Sequence, residues 1–137
     1  MSNLHVTGVE VMGPHFTKYH LSDHGVIHKF TERDVVKPHN HPFGFTTEIL
    51  WGRYAEELYV PNPDGTVSTF QKVWGPGTTH RVEKGTIHLL VDLPDGECWT
   101  HVSPDADREP WGFYDFRPDG VWFQKPGQEW ILLIPKT

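Results

Sequence analysis

Short runs in which apolar and polar residues alternate make up most of this chain. Residues 54–60 read Tyr-Ala-Glu-Glu-Leu-Tyr-Val, and side chains two positions apart share one face of a β-strand. Comparable runs, rich in β-branched and aromatic residues, recur along the sequence. Those that predict strands are residues 26–31, 45–51, 54–60, 67–74, 86–93, 98–103 and 130–134.

Turn signals separate these runs. Pro-Asp-Gly occurs at residues 63–65, 94–96 and 118–120. Asp-Gly between apolar runs is typical of a hairpin, because glycine adopts positive φ without steric cost. The 12 prolines and 13 glycines would interrupt most amphipathic helices, and no helix is predicted. About ten short strands at regular spacing indicate an all-β sandwich or barrel.

The length predicts a single domain. With 137 residues, the chain can bury one core but is too short for two ordinary domains, and no linker divides it. The alternation of Val6, Val9 and Val11 suggests a strand in residues 1–24, which we expect to form an N-terminal strand or arm. The core motifs lie in residues 25–103, and further strands are expected in residues 104–137.

Charge and composition narrow the function classes. The net charge of −6 argues against nucleic-acid binding, which needs a basic surface, and against docking on anionic membranes. No apolar run is long enough for a membrane span. The single cysteine, Cys98, excludes an intrachain disulfide and is expected to be a small buried apolar residue. We therefore expect a soluble cytoplasmic protein.

A histidine pattern carries the candidate chemistry. His39 and His41 are separated by one residue, so on a strand they point to the same side, and His88 follows on a later strand just after a turn. Imidazole is the commonest side-chain metal ligand, so the three can close a facial metal site. The alternative is that His39 and His41 are exposed and that His88 is an ordinary hydrogen-bonding core residue.

These motifs resemble those of the cupin superfamily. The first cupin motif carries His-x-His, a glutamate and a glycine, and the second carries a glycine and then Pro-x-Gly-x-x-His. The residues that match are His39, His41, Gly52, Gly77, Gly85 and His88. The resemblance covers residues 25–103 and implies a small single-domain double-stranded β-helix, the jelly-roll barrel of that superfamily.

The sequence departs from the cupin pattern at the carboxylate ligand. The positions three and four residues after His41 hold Gly44 and Phe45 instead of glutamate, and Glu83 replaces the usual proline of the second motif. Glu48 has the wrong parity for the same face and would reach the metal only through a β-bulge. The simplest interpretation is a three-histidine site, which the resemblance to cupin-type thiol dioxygenases allows, with Glu48 as a conditional fourth ligand.

A narrower resemblance links the chain to a group of uncharacterised bacterial and phage cupin proteins. It rests on four motifs, His-x-His-Pro, Ile-Leu-x-Gly-x-Tyr-x-Glu-Glu, Cys-Trp-Thr and Trp-Gly-Phe. In this chain they occupy residues 39–42, 49–57, 98–100 and 111–113. The resemblance supports the fold and implies no particular activity.

Four further polar residues are candidates for lining the cavity. His80 is either an alternative third ligand or an acid–base group, and His101 either faces inwards or is a half-exposed strand residue. Arg53 and Arg81 could bind an anionic group of a substrate, although strand arginines are more often solvated or paired with acidic neighbours. All four are predicted catalytic residues.

The pattern as a whole predicts a metal-dependent enzyme that acts on a small organic molecule, with dioxygenase-like oxidation ahead of isomerisation or hydrolysis. Fe²⁺ is the expected metal, and Zn²⁺, Ni²⁺ or Mn²⁺ would also suit imidazole ligands. The alternative is a non-catalytic module that binds a small ligand, or an accessory protein. A homodimer is expected, with the apolar residues 130–134 as a contributor.

Overall fold

A computed structural model describes residues 3–34 and 36–137, and these residues form an all-β fold. Neither range contains a helix, so none there could cross a membrane. The strands, in chain order, are β1 (Val6–Gly13), β2 (Phe16–Leu21), β3 (Val26–Phe30), β4 (Phe45–Trp51), β5 (Tyr54–Pro61), β6 (Val67–Trp74), β7 (Thr79–Val82), β8 (Ile87–Asp92), β9 (Cys98–Pro104), β10 (Phe113–Arg117), β11 (Gly120–Gln124) and β12 (Ile131–Pro135).

One layer is a six-stranded antiparallel sheet with the order β1-β2-β3-β9-β4-β7. The alternation along β4 decides which side chains face the interior: Phe45, Thr47 and Ile49 are buried, whereas Glu48 is exposed. Cross-strand partners share a face, so Thr100 of β9, which pairs with Ile49, is also buried.

The second layer consists of two three-stranded sheets, β6-β5-β8 and β10-β11-β12. The extended segment 38–40 lies between them. His39 forms isolated antiparallel bridges to His88 of β8 and to Phe113 of β10, and the side-chain oxygen of Asn40 accepts a 2.8 Å hydrogen bond from the Gly112 amide. This segment therefore joins the two small sheets and carries the first histidine motif as part of the layer.

The predicted strands agree well with the observed ones. β4 and β6 have the predicted bounds, and β3, β5, β8, β9 and β12 differ only at their ends. The N-terminal segment holds two strands instead of one, because it turns back after Gly13. The three Pro-Asp-Gly sequences connect consecutive strands, and their glycines have positive φ, for example +83° at Gly65.

Two apolar clusters fill the space around the inner faces. Ile49, Tyr54, Leu90 and Cys98 form one, and Phe45, Val82 and Val102 form the other. Cys98 is 0% exposed, and burial raises the pKa of its thiol to about 12. Cys98 is thus a buried apolar residue, as expected from the sequence, and the clusters leave part of the barrel interior open.

Candidate metal centre and cavity

Three imidazoles meet at one point of the second layer. Each of His39, His41 and His88 offers a ring nitrogen, and these nitrogens all lie within 4.8 Å of one another. The closest approach is between Nε2 of His41 and Nε2 of His88, at 2.9 Å. The structure thus brings together the three histidines that the sequence pattern singled out.

The backbone explains why these rings converge. His39 and His88 exchange two backbone hydrogen bonds, of 3.1 and 2.9 Å, so they are a directly opposed antiparallel pair with side chains on the same face. His41 lies two residues further on, and the two-residue period returns its side chain to that face. The contact across 47 residues of chain therefore follows from pairing segment 38–40 with β8.

Contacts on the far side of two rings orient them. Nδ1 of His39 lies 3.2 Å from the backbone oxygen of Lys37, so it donates to this oxygen and leaves Nε2 free. Nδ1 of His88 faces the carboxylate of Glu56 at 3.9 Å. Histidines that ligate metals commonly have such a partner on the other nitrogen, because it sets the tautomer and the ring direction.

The environment keeps the imidazoles of His39 and His41 neutral. Burial is the main cause that lowers the pKa of His41 to about 2, and the nearby rings of His88 and His39 contribute further. Burial, followed by the proximity of His88, also lowers the pKa of His39. A neutral imidazole has a free lone pair, which is the form that binds a metal ion.

The donor set fits a divalent metal ion. Two nitrogens bound at right angles to one ion, each at about 2.1 Å, would be about 3.0 Å apart. The 2.9 Å between His41 and His88 agrees with that separation. Their nitrogen pair could also share a proton, but the third ring of His39 beside them makes a three-donor facial arrangement.

A cavity of about 840 Å³ opens beside the three histidines. Its wall is largely apolar and aromatic, and it lies between the inner faces of the two layers. The apolar residues that line it include Phe16, Leu21, Val26, Phe30, Phe43, Phe45, Val82, Leu90 and Val102. A volume of this size matches the pockets that hold small organic molecules.

Glu48 does not reach this site, and the conditional prediction that it is a metal ligand is corrected. No bulge occurs between Phe45 and Glu48, and the cross-strand partners of Glu48 are Thr79 and His101, on the outer face. Register shifts of β4 begin only after Ile49. The parity of the sequence therefore holds, and Glu48 points to solvent.

The carboxylate at the site is Glu56, which the sequence reasoning missed. Glu56 is 3% exposed and lines the cavity. It pairs with Leu90 on β8, while His88 pairs with Leu58, so Glu56 and His88 are diagonal neighbours. The signal was present in the sequence, because Glu56 shares its strand face with Tyr54 and Leu58, which have large apolar parts. A charged residue on a buried face is costly unless it is paired, so it usually marks a site with a partner.

His28 is a second cavity residue that the sequence reasoning missed. It alternates with Val26 and Phe30, and all three line the cavity. Burial first, and then the positive charge of Lys18, lower its pKa to about 3. His28 is thus a neutral imidazole in the interior, outside the three-histidine group.

His80 faces inwards but belongs to a different contact. Its Nε2 and the Tyr54 hydroxyl share a 2.6 Å hydrogen bond, and its ring stacks on Trp74 with 3.7 Å between centroids. Burial lowers the pKa of His80. The prediction that His80 could replace His88 as a ligand is corrected, because the group of three contains His88 instead.

The other three predicted catalytic residues lie away from the cavity. His101 occupies an outward position of β9 between the buried Thr100 and Val102. The guanidinium of Arg53 pairs with Asp95 at 2.9 Å. Arg81 is exposed and pairs with Asp105 and Glu83. Their predicted contact with a substrate is corrected, since parity or an acidic neighbour directs each of them elsewhere.

Comparison with known proteins gives matches at the level of structure. No model of a known protein family and no curated protein matches the sequence. The Fe(II) form of HppE is similar with a TM-score of 0.55 and 10% identity, over 72% of this chain and 56% of HppE. The chain thus spans little more than half the length of HppE.

Two other solved structures match over most of their length. The polyketide cyclase RemF from Streptomyces resistomycificus has a TM-score of 0.52 and 24% identity, with 81% of this chain and 83% of RemF covered. KdgF from Halomonas sp. has a TM-score of 0.50 and 17% identity, with 71% and 86% covered. At these identities the likeness shows the fold.

The fold and the site together define the class of the molecule. The chain has the cupin fold, a small all-β jelly-roll barrel, and this confirms the fold predicted from its motifs. Within this barrel the molecule is distinguished by three clustered histidines beside an apolar cavity. The narrower resemblance to uncharacterised bacterial and phage proteins stays a prediction.

Proposed function

We propose that the protein binds a divalent metal ion through His39, His41 and His88 and acts as a metal-dependent enzyme on a small organic molecule. The observation that carries the proposal is the convergence of three imidazole nitrogens at the wall of an 840 Å³ cavity. Structural metal sites normally have four protein ligands, whereas catalytic sites keep open positions. Three ligands beside a cavity favour the catalytic kind.

We favour dioxygenase-like oxidation with Fe²⁺, and Zn²⁺, Ni²⁺ or Mn²⁺ as alternatives. A bound divalent iron would supply chemistry with dioxygen, whereas zinc would supply Lewis acidity. HppE shares the fold and has an Fe(II) form, which makes iron the first metal to test. RemF, a polyketide cyclase of the same fold, supports testing ring-closing reactions without oxidation as well.

The residues of the chain have separate tasks in this proposal. Phe43, Phe45 and Val82 would exclude water from the substrate, since the wall beside the histidines is apolar. Glu56 would hold His88 through Nδ1 so that Nε2 faces the ion. His28, neutral and outside the ligand group, would offer a hydrogen bond to a bound molecule.

A non-catalytic ligand-binding module is the second candidate. It is favoured by one observation: His101, Arg53 and Arg81, three of the four residues predicted to be catalytic, lie away from the cavity. In that case the barrel would bind its ligand without turnover. The homodimer and the cytoplasmic location stay predictions, and size-exclusion chromatography with light scattering would measure the oligomeric state.

The first experiment is metal analysis of protein purified without added metal, followed by loading with Fe²⁺ under anaerobic conditions. We expect about one metal ion per chain, since residues 3–34 and 36–137 contain one such cluster. Dioxygen consumption is then measured with a panel of small organic substrates, including thiols. Absence of bound metal under every loading condition would contradict the proposal. Stoichiometric metal together with ligands that bind but are not converted would favour the non-catalytic binding module.

A further inference from the structure

A lysine faces the interior of the barrel. Lys18 of β2 lines the cavity. Its cross-strand partner on β3 is His28, which pairs in turn with Thr100 on β9. Lys18, His28 and Thr100 therefore form one row across the inner face of the six-stranded sheet.

Lys18 forms no ion pair with any residue in ranges 3–34 and 36–137. Its cross-strand neighbour on β1 is Glu10, but the Glu10 carboxylate lies 3.0 Å from Nε2 of His20. The ammonium of Lys18 instead lies 5.6 Å from the centre of the Phe16 ring. A cation beside an apolar wall gains strongly from an anionic partner, because the alternative is partial loss of hydration.

The acidic groups of the cavity are already engaged. Asp34 accepts a 2.9 Å hydrogen bond from the Leu90 amide, Asp105 pairs with Arg81, and Glu56 faces His88. None of these carboxylates is paired with Lys18. An anion that neutralises Lys18 must therefore come from outside the described chain.

The three-histidine group would add to the uncompensated positive charge of the cavity once it binds a metal ion. Neutral imidazoles bring no charge to a divalent ion, and Glu56 offsets only one of its two charges. A ligand with a negative group would be attracted both by the open positions of the ion and by Lys18. The other cation that lines the cavity, Arg108, donates to the backbone oxygens of Asp105 and Asp107. A single free ammonium matches a carboxylate, whereas a phosphate dianion would need more donors.

We propose that Lys18 is the anion-binding residue of the cavity and that the substrate is a small organic carboxylate with an apolar or aromatic body. This deepens, and rests on, the proposed metal-dependent function. The carboxylate pairs with the ammonium of Lys18, and the apolar body packs on wall residues such as Phe16 and Phe30. The proposal defines the chemical class of the substrate and not its identity.

The test compares charged and neutral probes on metal-loaded protein by titration calorimetry. We expect wild type to bind benzoate and 3-phenylpropionate at least about 10-fold more tightly than benzamide and 3-phenylpropionamide, since an ion pair shielded from water is worth more than one hydrogen bond. Lys18→Met should lose most of that preference and keep only the part that the ion supplies, and Lys18→Arg should keep it in full. Phenylphosphonate is included to distinguish a carboxylate site from a phosphate site.

Lys29→Met is the matched control. Lys29 lies on β3 with its ammonium 3.8 Å from Glu97 and over the ring of Trp99, on the outer face of the same sheet. Lys29→Met removes the same charge from the protein as Lys18→Met does. A change in the net charge alone would therefore affect ligand binding by both variants equally. We expect Lys29→Met to bind benzoate like wild type.

Three outcomes would overturn the assignment: an unchanged preference in Lys18→Met, no preference for carboxylates in wild type, or tighter binding of phenylphosphonate than of benzoate. Metal content is measured on every variant. Wild type without metal would count against the proposed function itself. Full metal occupancy with no dependence on Lys18 would remove only the anion site.

Discussion

The two faces of the six-stranded sheet carry the same kinds of residue in different circumstances. On the inner face, Lys18 and His28 line the cavity. On the outer face, Lys29 pairs with Glu97, and His101 points away from the cavity between buried neighbours. A shift of one residue along a strand thus separates a candidate functional position from an ordinary surface position.

The second layer repeats this contrast with acidic residues. Glu56 and Glu57 are consecutive on β5, but Glu56 is almost fully buried beside His88, whereas Glu57 is only partly buried and points to the other face. The two glutamates are adjacent in the sequence and have the same side chain. They differ because one face of β5 is buried and the other is not. Matched pairs of variants, one from each face, can therefore test the functional interpretation.

The largest expected effect is on the pH dependence of stability, and it tests whether His28 lies in the interior. Its pKa is lowered to about 3 in the folded protein, against about 6.5 in an unfolded chain. Between these values the unfolded state holds a proton that the folded state does not. Stability therefore falls as pH falls from about 6.5 towards 3.

Urea unfolding of the metal-free protein at several pH values between 4 and 7 measures this effect. His28→Leu should make the slope of unfolding free energy against pH shallower by up to about 1.4 kcal/mol per unit. This is an upper limit, since water can enter the cavity. The lowered pKa values of His41 and His80 act in the same direction and remain in the variant. A slope equal to that of wild type would contradict the interior position of His28.

The next effect separates His41 from His101. We expect His41→Ala to weaken metal binding more than about 100-fold, because loss of a direct ligand should exceed the effect of losing an outer partner. His101→Ala should bind like wild type, since its ring lies on the outer face. Competition with a chromogenic chelator measures the metal affinity of both variants. An equal loss of affinity in the two would contradict the assignment of His41 as a ligand.

A smaller effect is expected at Glu56. Glu56→Gln removes the carboxylate that faces Nδ1 of His88 and should weaken zinc binding by about 10- to 100-fold. Glu57→Gln makes the same chemical change on the other face and should leave the affinity unchanged. The same chelator competition applies, and circular dichroism checks that both variants are folded. Wild-type affinity in Glu56→Gln would remove Glu56 from the site.

The smallest effect concerns the hydroxyl of Tyr54. Tyr54→Phe removes the 2.6 Å hydrogen bond to His80 and leaves the partly buried His80 nitrogen without that partner, so we expect a loss of about 1 kcal/mol of stability. Tyr19, which stacks on Trp99 on the outer face, is the control, and Tyr19→Phe should cost less than about 0.5 kcal/mol. Thermal or urea unfolding distinguishes the two.

Local patterns predicted much of the fold. The alternation and the Pro-Asp-Gly turns placed most strands to within a residue or two, because period and turn chemistry are properties of neighbouring residues. They were weaker for the N-terminal segment, where two strands replace the single one expected. The hairpin of β1 and β2 joins the sheet because β2 pairs with β3. The local sequence pattern does not predict this pairing.

The candidate site was predicted in part for the same reason. His39 and His41 share a face by parity, and the order of motifs added His88. Glu56 was missed because its position depends on the pairing of β5 with β8. His101 and Arg81 were candidates for lining the cavity, but strand parity and an acidic neighbour direct them outwards. An isolated polar residue on a strand does not reveal which face the sheet buries.

The strand period, the turns and the spacing of His39 and His41 follow from the sequence alone, since each depends on residues close together in the chain. Which faces of the strands meet depends on the tertiary structure. The bridge between His39 and His88 brings rings 49 positions apart in the numbering into one group, and the packing of two layers turns Lys18, His28 and Glu56 towards a common cavity. Burial and long-range pairing are properties of the assembled barrel, and they give these residues their chemistry.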